Sequence, residues 1–228
     1  DTAKLDYLVD MVGEMVIAQS MVRHNEVISA AADQRLQRDL AQLARITGEV
    51  QRTAMAMRMV PIGQLFQRTA RQVRDLSRKV GKQVELVTRG EDTELDKTIA
   101  EELSDPLMHM VRNSIDHGIE TPDGRLAAGK PAQAKVSLSA YHQAGQIVIE
   151  ITDDGRGLDS QKILAKARQK GLVDDAQHLS ENDIFRLILA PGFSTAEQVT
   201  DISGRGVGMD VVTRQVERLR GRIEIRSQ

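Results

Sequence analysis

The sequence contains no cysteine and no tryptophan, and only two tyrosines and three phenylalanines. Without cysteine there are no disulfides and no thiolate metal centres, which fits a reducing compartment. With so few aromatics to stack on bases, and a formal net charge of −2, the chain has no nucleic-acid footprint, and no nucleic-acid partner is expected. No apolar run approaches the roughly 20 residues needed to span a bilayer, and no secretion signal is visible. Direct membrane insertion is therefore not expected, and a cytoplasmic location is. What is present is an ordinary soluble composition, 40% hydrophobic and 28% charged over 228 residues, enough for one large domain or two small ones. Nine methionines and many aliphatic residues must build the core, which suits helix packing. The chain starts at Asp1 and reads as a piece of something longer.

Up to about residue 60 the pattern is two long helices. Leu5, Leu8, Val12, Met15, Gln19 and Val22 step by three and four, and Leu36, Leu40, Leu43, Thr47, Val50, Ala54 and Met57 repeat the alternation. This is a heptad seam of about three repeats per helix, with Gln19 and Thr47 as polar interruptions. A single hairpin cannot bury both flanks of such seams, so a four-helix bundle made by two chains is expected. The competing arrangement is a hairpin packed on the rest of its own chain.

"MVPIG" at 59–63 marks a boundary, because Pro61 disfavours helix at Val60 and Gly63 follows. It divides a helical-hairpin domain, 1–62, from a mixed domain, 63–228. In the second, "QLFQRTARQVRDLSRKVGK" is an amphipathic helix closing near Gly81, and "QVELVTRG" alternates as a strand. "ELDKTIAEELSDPLMHMVRNSIDHG" reads as helical, with a kink or restart at Asp105-Pro106. "KVSLSAYHQAGQIVIEITDDG" gives two strands turning at Ala144-Gly145. Short helical pieces over 160–190 and a final helix, "VVTRQVERLRG", follow. "RIEIRSQ" begins a strand whose partners are expected beyond the end of the chain.

Within "MHMVRNSIDHG" (108–118), helical spacing sets His109, Asn113, Asp116 and His117 within an arc of about 100°. Leu103, Leu107, Met110, Val111 and Ile115 fall opposite. One side packs and the other offers donors and acceptors. The Asn113 carbonyl oxygen suits Mg²⁺, a hard cation that keeps most of its waters and is shared with phosphates. His109, one turn earlier, can act as a base or hydrogen-bond a terminal phosphate. A solvated polar face gives the same pattern. A single ion held by His109 and His117 is excluded, since they lie about 12 Å apart along a helix.

Two further motifs favour a ligand over solvent. "DDGRG" at 153–157 ends the apolar strand "QIVIEIT", where a carboxylate followed by glycines can accept a hydrogen bond from an exocyclic amine such as that of adenine. "GRGVGMD" at 204–210 places three glycines just before a helix, where backbone N–H groups and the helix N-terminus can cradle phosphates. No Gly-Lys-Ser/Thr follows, so it is not a Walker loop, and it lacks the preceding strand of a dinucleotide-binding unit.

Taken in order, "HMVRNSIDHGIE", "DDGRG" and "PGFSTAEQVTDISGRGVGMDVV" resemble the N, G1, F and G2 boxes of the Bergerat ATP-binding fold shared by histidine kinases, Hsp90, gyrase and MutL. With "GEDTELDK" they resemble the chemotaxis histidine kinases of the CheA family over nearly the whole chain. The resemblance implies an α+β fold: an antiparallel helical hairpin that dimerises through residues 1–62, followed by an α/β sandwich over 63–228 whose last strands are missing.

It implies ATP and Mg²⁺ as cofactors, with Asn113 holding the metal against the triphosphate and Asp153 binding the adenine amine. Gly155 and Gly157 would allow close approach to the base. Gly204, Gly206 and Gly208, with Arg205, Val207 and Met209 between and beside them, would line the phosphates, and Ser194 and Thr195 would belong to a mobile lid. Arg112, Asp116, His117 and Lys162 are secondary candidates. His109 stands where the ATPase branch usually has a water-activating glutamate, as suits transfer of the γ-phosphoryl to another histidine.

That acceptor is not evident here. His24 is followed by Asn25 and lacks the acidic residue and proline of sensor-kinase acceptors, and His142 and His178 have no supporting neighbours. A separate phosphotransfer domain is implied, as are response regulators, a coupling protein and chemoreceptors reached through missing domains, with recruitment to receptor arrays at the membrane. A non-catalytic nucleotide-gated scaffold and a Bergerat-fold ATPase remain the alternatives.

Overall fold

The computed structural model describes residues 2–29, 33–174, 179–193 and 208–227. Ser194, Thr195, Gly204, Arg205, Gly206 and Val207, together with His178, lie outside the described residues. The chain divides into two compact units, residues 1–60 with 94–97, and residues 61–93 with 98–228.

In the first unit, α1 (Thr2–Arg23) and α3 (Gln34–Ala56) pack as a hairpin joined through the short α2 (Glu26–Ser29). Asp33 opens α3 as its N-cap, accepting the Arg35 N–H at 2.8 Å. The heptad seam splits into two registers. Val12, Thr47 and Ala54 are buried, and Leu5, Gln19, Leu36 and Leu40 are half-buried. The alternate positions Leu8, Met15, Val22, Leu43, Val50 and Met57 stay between 39% and 53% exposed. One register therefore closes the hairpin, and the other is an apolar stripe that the hairpin itself does not cover.

Below the hairpin, the short strand β1 (Met59–Pro61) pairs with β3 (Glu94–Asp96). Arg58 bridges to Asp6 at 3.5 Å and to Asp96 at 3.1 Å. The ladder corrects the sequence reading, which took Glu94–Asp96 as helix. Three residues are too few for periodicity to distinguish the two states, and the pairing depends on a partner more than 30 positions away in the chain.

The second unit carries a three-stranded sheet in the order β2 (Val84–Arg89), β4 (Ala134–Gln143), β5 (Gln146–Asp153). β2 runs parallel to β4, and β4 antiparallel to β5. The hairpin between β4 and β5 turns at Ala144 and Gly145, with φ of 50° and 77°, the primed turn that matches strand twist. Ala134, Val136, Leu138 and Ala140 are buried along β4 in strict alternation. The amphipathic helix α4 (Gly63–Lys79) packs on β2 and on α6 (Ser104–Asn113), burying Leu65, Phe66 and Val73. α10 (Met209–Arg218) packs on α6, burying Val212 and Val216.

A satellite core gathers Ile163, Ala167, Val173, Phe185 and Phe193 around α8 (Ser160–Gln169) and α9 (Glu181–Arg186), with Ile225 packed against it. Residues 221–227 form no strand among the described residues, contrary to the reading of "RIEIRSQ". Here the segment is fastened by side chains instead, through Ile225 and through the Ser227 hydroxyl, which accepts the Leu158 N–H at 2.9 Å. The observed architecture is the expected α+β class: N-terminal helices followed by helices on a mixed sheet.

Candidate functional site

The helix read from "ELDKTIAEELSDPLMHMVRNSIDHG" is three pieces in the structure. α5 (Lys97–Glu102) gives way to α6 at Ser104, with Pro106 in the first turn, where its missing N–H costs nothing. Leu107, Val111 and Ile115 are buried as expected. After Asn113 the helix widens into a π turn, Ser114–Gly118, closed by the Ile119 N–H on the Ser114 carbonyl at 2.8 Å. The 100° spacing used to align Asp116 and His117 with His109 and Asn113 therefore fails beyond Asn113. Asp116 is half-buried and His117 exposed.

A π turn breaks the regular carbonyl pairing, and π turns occur often at functional sites. Lys82, in the link between α4 and β2, supplies the missing partners. Its Nζ donates to the Ile115 carbonyl at 2.6 Å and the Asp116 carbonyl at 2.9 Å. Burial holds its pKa below the ordinary lysine value, against the opposing pull of Asp116.

The π turn ends against the end of β5. Asp153 is the last residue of β5 and stands opposite Val136. It shares a strand face with Ile149 and Ile151, all three half-buried. Strand alternation thus puts a carboxylate where an apolar residue would continue the row. Gly155 donates its N–H to Asp153 Oδ1 at 3.0 Å, and Arg156 donates its N–H to the Gly118 carbonyl at 2.9 Å. A Cβ on Gly118 would lie 3.2 Å from Asp153 Oδ1, and one on Gly155 only 2.3 Å from the Gly118 carbonyl oxygen. Gly157 has φ of 71°, a left-handed conformation that glycine adopts without strain.

At the other end of the site, Asn113 faces the start of α10. Its Nδ2 donates to Met209 Sδ at 3.1 Å, which leaves Oδ1 as an uncharged hard-oxygen ligand. Among the described residues, no group of three or more His, Asp or Glu could hold a metal. Gly208 caps α10 with its Cα close to the Asp210 carboxylate: a Cβ there would lie 2.6 Å from Oδ1. His109 is half-buried. Burial, and then the Arg112 guanidinium, hold its pKa below the ordinary histidine range, which favours the neutral imidazole.

The structure thus brings Asp153, Gly155 and Gly118 together at one end, and Asn113 and Met209 at the other. It does not bring Lys162 to them. Lys162 lies on α8, its side chain 86% exposed and its Nζ paired with Asp159 at 3.1 Å. His24 is exposed and bonded to its own helix, Nδ1 to the Ser20 carbonyl at 2.8 Å. Sequence reasoning missed Lys82, Glu120, Arg125 and Lys130. Lys82 carries no local signal, and the other three follow the "SIDHG" turn as ordinary charged residues around α7 (Pro122–Ala127).

The model for histidine kinase-, DNA gyrase B- and HSP90-like ATPases matches residues 102–228, and that for the homodimeric domain of signal transducing histidine kinases matches residues 1–57. The chain belongs to the histidine kinase-, DNA gyrase B- and HSP90-like ATPase family. Over nearly its whole length it is similar to CheA proteins. It is 50% identical over 227 residues to chemotaxis protein CheA of Salmonella typhimurium, a match covering 99% of this chain and 34% of that protein. The CheA of Bacillus subtilis is 44% identical over 226 residues, 98% of this chain and 33% of its own. The chain spans about a third of the length of the curated relatives it matches. A solved histidine kinase domain, from the Erythrobacter litoralis EL346 blue-light activated histidine kinase, aligns with 82% of this chain and 84% of its own at 16% identity. Its TM-score of 0.33 is too low to carry detail.

Proposed function

We propose that this chain is the dimerisation and ATP-binding portion of a CheA-type protein-histidine kinase. It would pass the γ-phosphoryl of Mg-ATP to a histidine on a separate phosphotransfer domain, in trans within a dimer. The observation that carries this reading is the Asp153 carboxylate on the core face of β5, wedged between Gly118 and Gly155. A carboxylate so placed, with glycines in place of side chains around it, suits an aromatic base bearing an exocyclic amine.

In this reading Asp153 accepts the adenine amine, and Gly155 and Gly157 keep the approach to the base clear. Asn113 Oδ1 would hold Mg²⁺, which would offset the charge of the phosphates. Gly208 and Met209, at the head of α10, begin the side that faces the phosphates, with Gly204, Arg205, Gly206 and Val207 before them. Asp116 and His117 lie on the π turn leading to the base. Ser194 and Thr195 keep their expected lid role, and Lys162 a peripheral one. The acceptor imidazole attacks the γ-phosphorus, the bond to the β–γ bridging oxygen breaks, and ADP leaves. Neutral His109 is suited to take the proton released from the attacking imidazole, or to hydrogen-bond the γ-phosphoryl.

The two-register hairpin supports the dimer, through residues 1–62. Its exposed stripe, Leu8, Met15, Val22, Leu43, Val50 and Met57, is what a second copy buries in a four-helix bundle, and residues 1–57 match a homodimeric domain. In this reading the chain works in the cytoplasm. Response regulators, a coupling protein and chemoreceptors are proposed as partners of the longer protein.

The test is phosphotransfer. The chain is incubated with Mg-ATP labelled at the γ-phosphate and an added phosphotransfer domain from a CheA protein. Label on that domain, lost with Asn113→Ala, supports the assignment. Binding of ATP without label transfer would favour a nucleotide-gated scaffold, and free phosphate release without acceptor would favour an ATPase.

A further inference from the structure

Arg125 is fully buried, its side chain 1% exposed. A buried guanidinium is tolerated only when its donors are used, and four of its five N–H groups are. Nε donates to the Pro131 carbonyl at 2.7 Å. Nη1 donates to Glu120 Oε2 at 3.3 Å and to the Asp154 carbonyl at 3.2 Å, and Nη2 to Asp154 Oδ2 at 2.8 Å. Lys130 converges on the same turn. Its Nζ donates to Glu120 Oε1 at 2.9 Å, to the Asp154 carbonyl at 3.1 Å and to the Gly155 carbonyl at 2.7 Å. Glu120 ties the two cations together. Partial burial works against its charge, but the Lys130 hydrogen bond, a backbone N–H and the two positive charges prevail and hold it below the ordinary carboxylate range.

The local chain is built to deliver these groups. Thr121 caps α7 by accepting the Gly124 N–H at 3.3 Å, and Gly129, with φ of 73°, reverses the backbone so that Lys130 returns to the turn. The target is specific. Both cations hold the carbonyl of Asp154, and Lys130 also holds that of Gly155. With those carbonyls drawn to one side, the N–H groups of Gly155 and Arg156 face the other, where they meet Asp153 Oδ1 and the Gly118 carbonyl. None of the three charged residues bonds the Asp153 carboxylate itself. They orient the peptide planes that do.

We propose that Glu120, Arg125 and Lys130 are positioning residues that set the nucleobase selectivity of this site, by holding the Asp154–Gly155 turn so that Asp153 meets an exocyclic amine. The proposal rests on the adenine reading given above. A plain structural brace would lower stability or weaken every nucleotide alike. A positioning network acts on the one hydrogen bond that distinguishes bases.

The test compares ADP with inosine diphosphate, which carries a carbonyl in place of the amine. Calorimetric affinities are measured for the wild-type chain, Lys130→Met and Lys130→Arg, with thermal melting alongside. In the wild type ADP is preferred. In Lys130→Met the ADP affinity falls about tenfold, the size of one charge-assisted hydrogen bond, while inosine diphosphate binding hardly changes, so the preference collapses. Lys130→Arg restores it. Loss of both ligands by the same factor, or no change in either, overturns the proposal. Should Lys130→Met fail to melt cooperatively, Glu120→Gln carries the same comparison. A wild type that binds both ligands alike overturns the adenine assignment and this proposal with it, whereas a wild-type preference that survives in the variant overturns this proposal alone.

Discussion

Replacing Gly155 with alanine should damage the nucleotide site more than it damages the fold. The added Cβ would sit 2.3 Å from the Gly118 carbonyl oxygen, 2.5 Å from its carbon and 2.8 Å from Asp153 Oδ1. Ordinary contact begins near 3.4 Å, so the junction between the π turn and the end of β5 must open by about 1 Å. The two tightest contacts are with backbone, which cannot give way as the end of a flexible side chain would. Overpacking of this kind costs about 1–3 kcal/mol, which lowers the melting midpoint of a unit this size by about 2–4 °C per kcal/mol. The larger effect falls on ligand binding, because the same opening displaces the Asp153 carboxylate and breaks the Arg156–Gly118 bond. The assay is the rise in melting midpoint with ADP. At a ligand concentration 100 times Kd, the stabilisation is about 2.7 kcal/mol; a variant binding tenfold more weakly retains only about 1.4 kcal/mol. Gly155→Ala should therefore lose about half of the wild-type ADP shift. Gly145→Ala, at the β4–β5 turn, has no atom within 4 Å of its Cβ but strains a positive φ of 77°, and it should melt lower while keeping a larger part of that shift. A Gly155→Ala chain with the full ADP shift would refute the close packing of Asp153 between the two glycines.

Three other outcomes are expected. Lys82→Met removes two charge-assisted hydrogen bonds from the Ile115 and Asp116 carbonyls, and should cost about 2–3 kcal/mol in denaturant unfolding; an unchanged midpoint would mean the π turn holds without it. Met15→Lys combined with Val50→Glu charges the exposed register of the hairpin and should give monomers in sedimentation at concentrations where the wild type is dimeric. His109 has a folded pKa below its ordinary 6.5. Below pH 6.5 the unfolded chain therefore binds a proton the folded chain refuses, and stability falls as pH drops toward the folded value. His109→Asn should flatten that part of the wild-type stability curve, and an unaltered slope would mean that His109 is not desolvated.

Long periodic elements were legible in the sequence because their signal is local and repeated. α4 ends at Lys79, close to the expected Gly81, β2 and the β4–β5 hairpin lie where alternation places them, and α10 follows its apolar spacing. The heptads were legible as well, but not their division into a register that closes the hairpin and one left exposed, which depends on how α1 and α3 rotate against each other. The candidate site was legible as types and order: Asn113 on a helix, Asp153 at a strand end, glycines after it. Its geometry was not. The π turn is capped by Lys82, more than 30 residues away in the chain, and helical spacing projected past Asn113 misplaces Asp116 and His117. Arg125 looks like any surface arginine of a short helix until the fold brings Asp154 to it. The β1–β3 ladder was invisible for the same reason, its pairing being wholly non-local.

The central claim is that Asp153 reads the base of a bound adenine nucleotide. Calorimetric titration of Mg-ADP into the wild-type chain and into Asp153→Ala tests it most directly. The account predicts saturable one-site binding by the wild type and its loss in the variant, with both chains melting cooperatively. Equal binding by the two would place the nucleotide elsewhere and contradict the account.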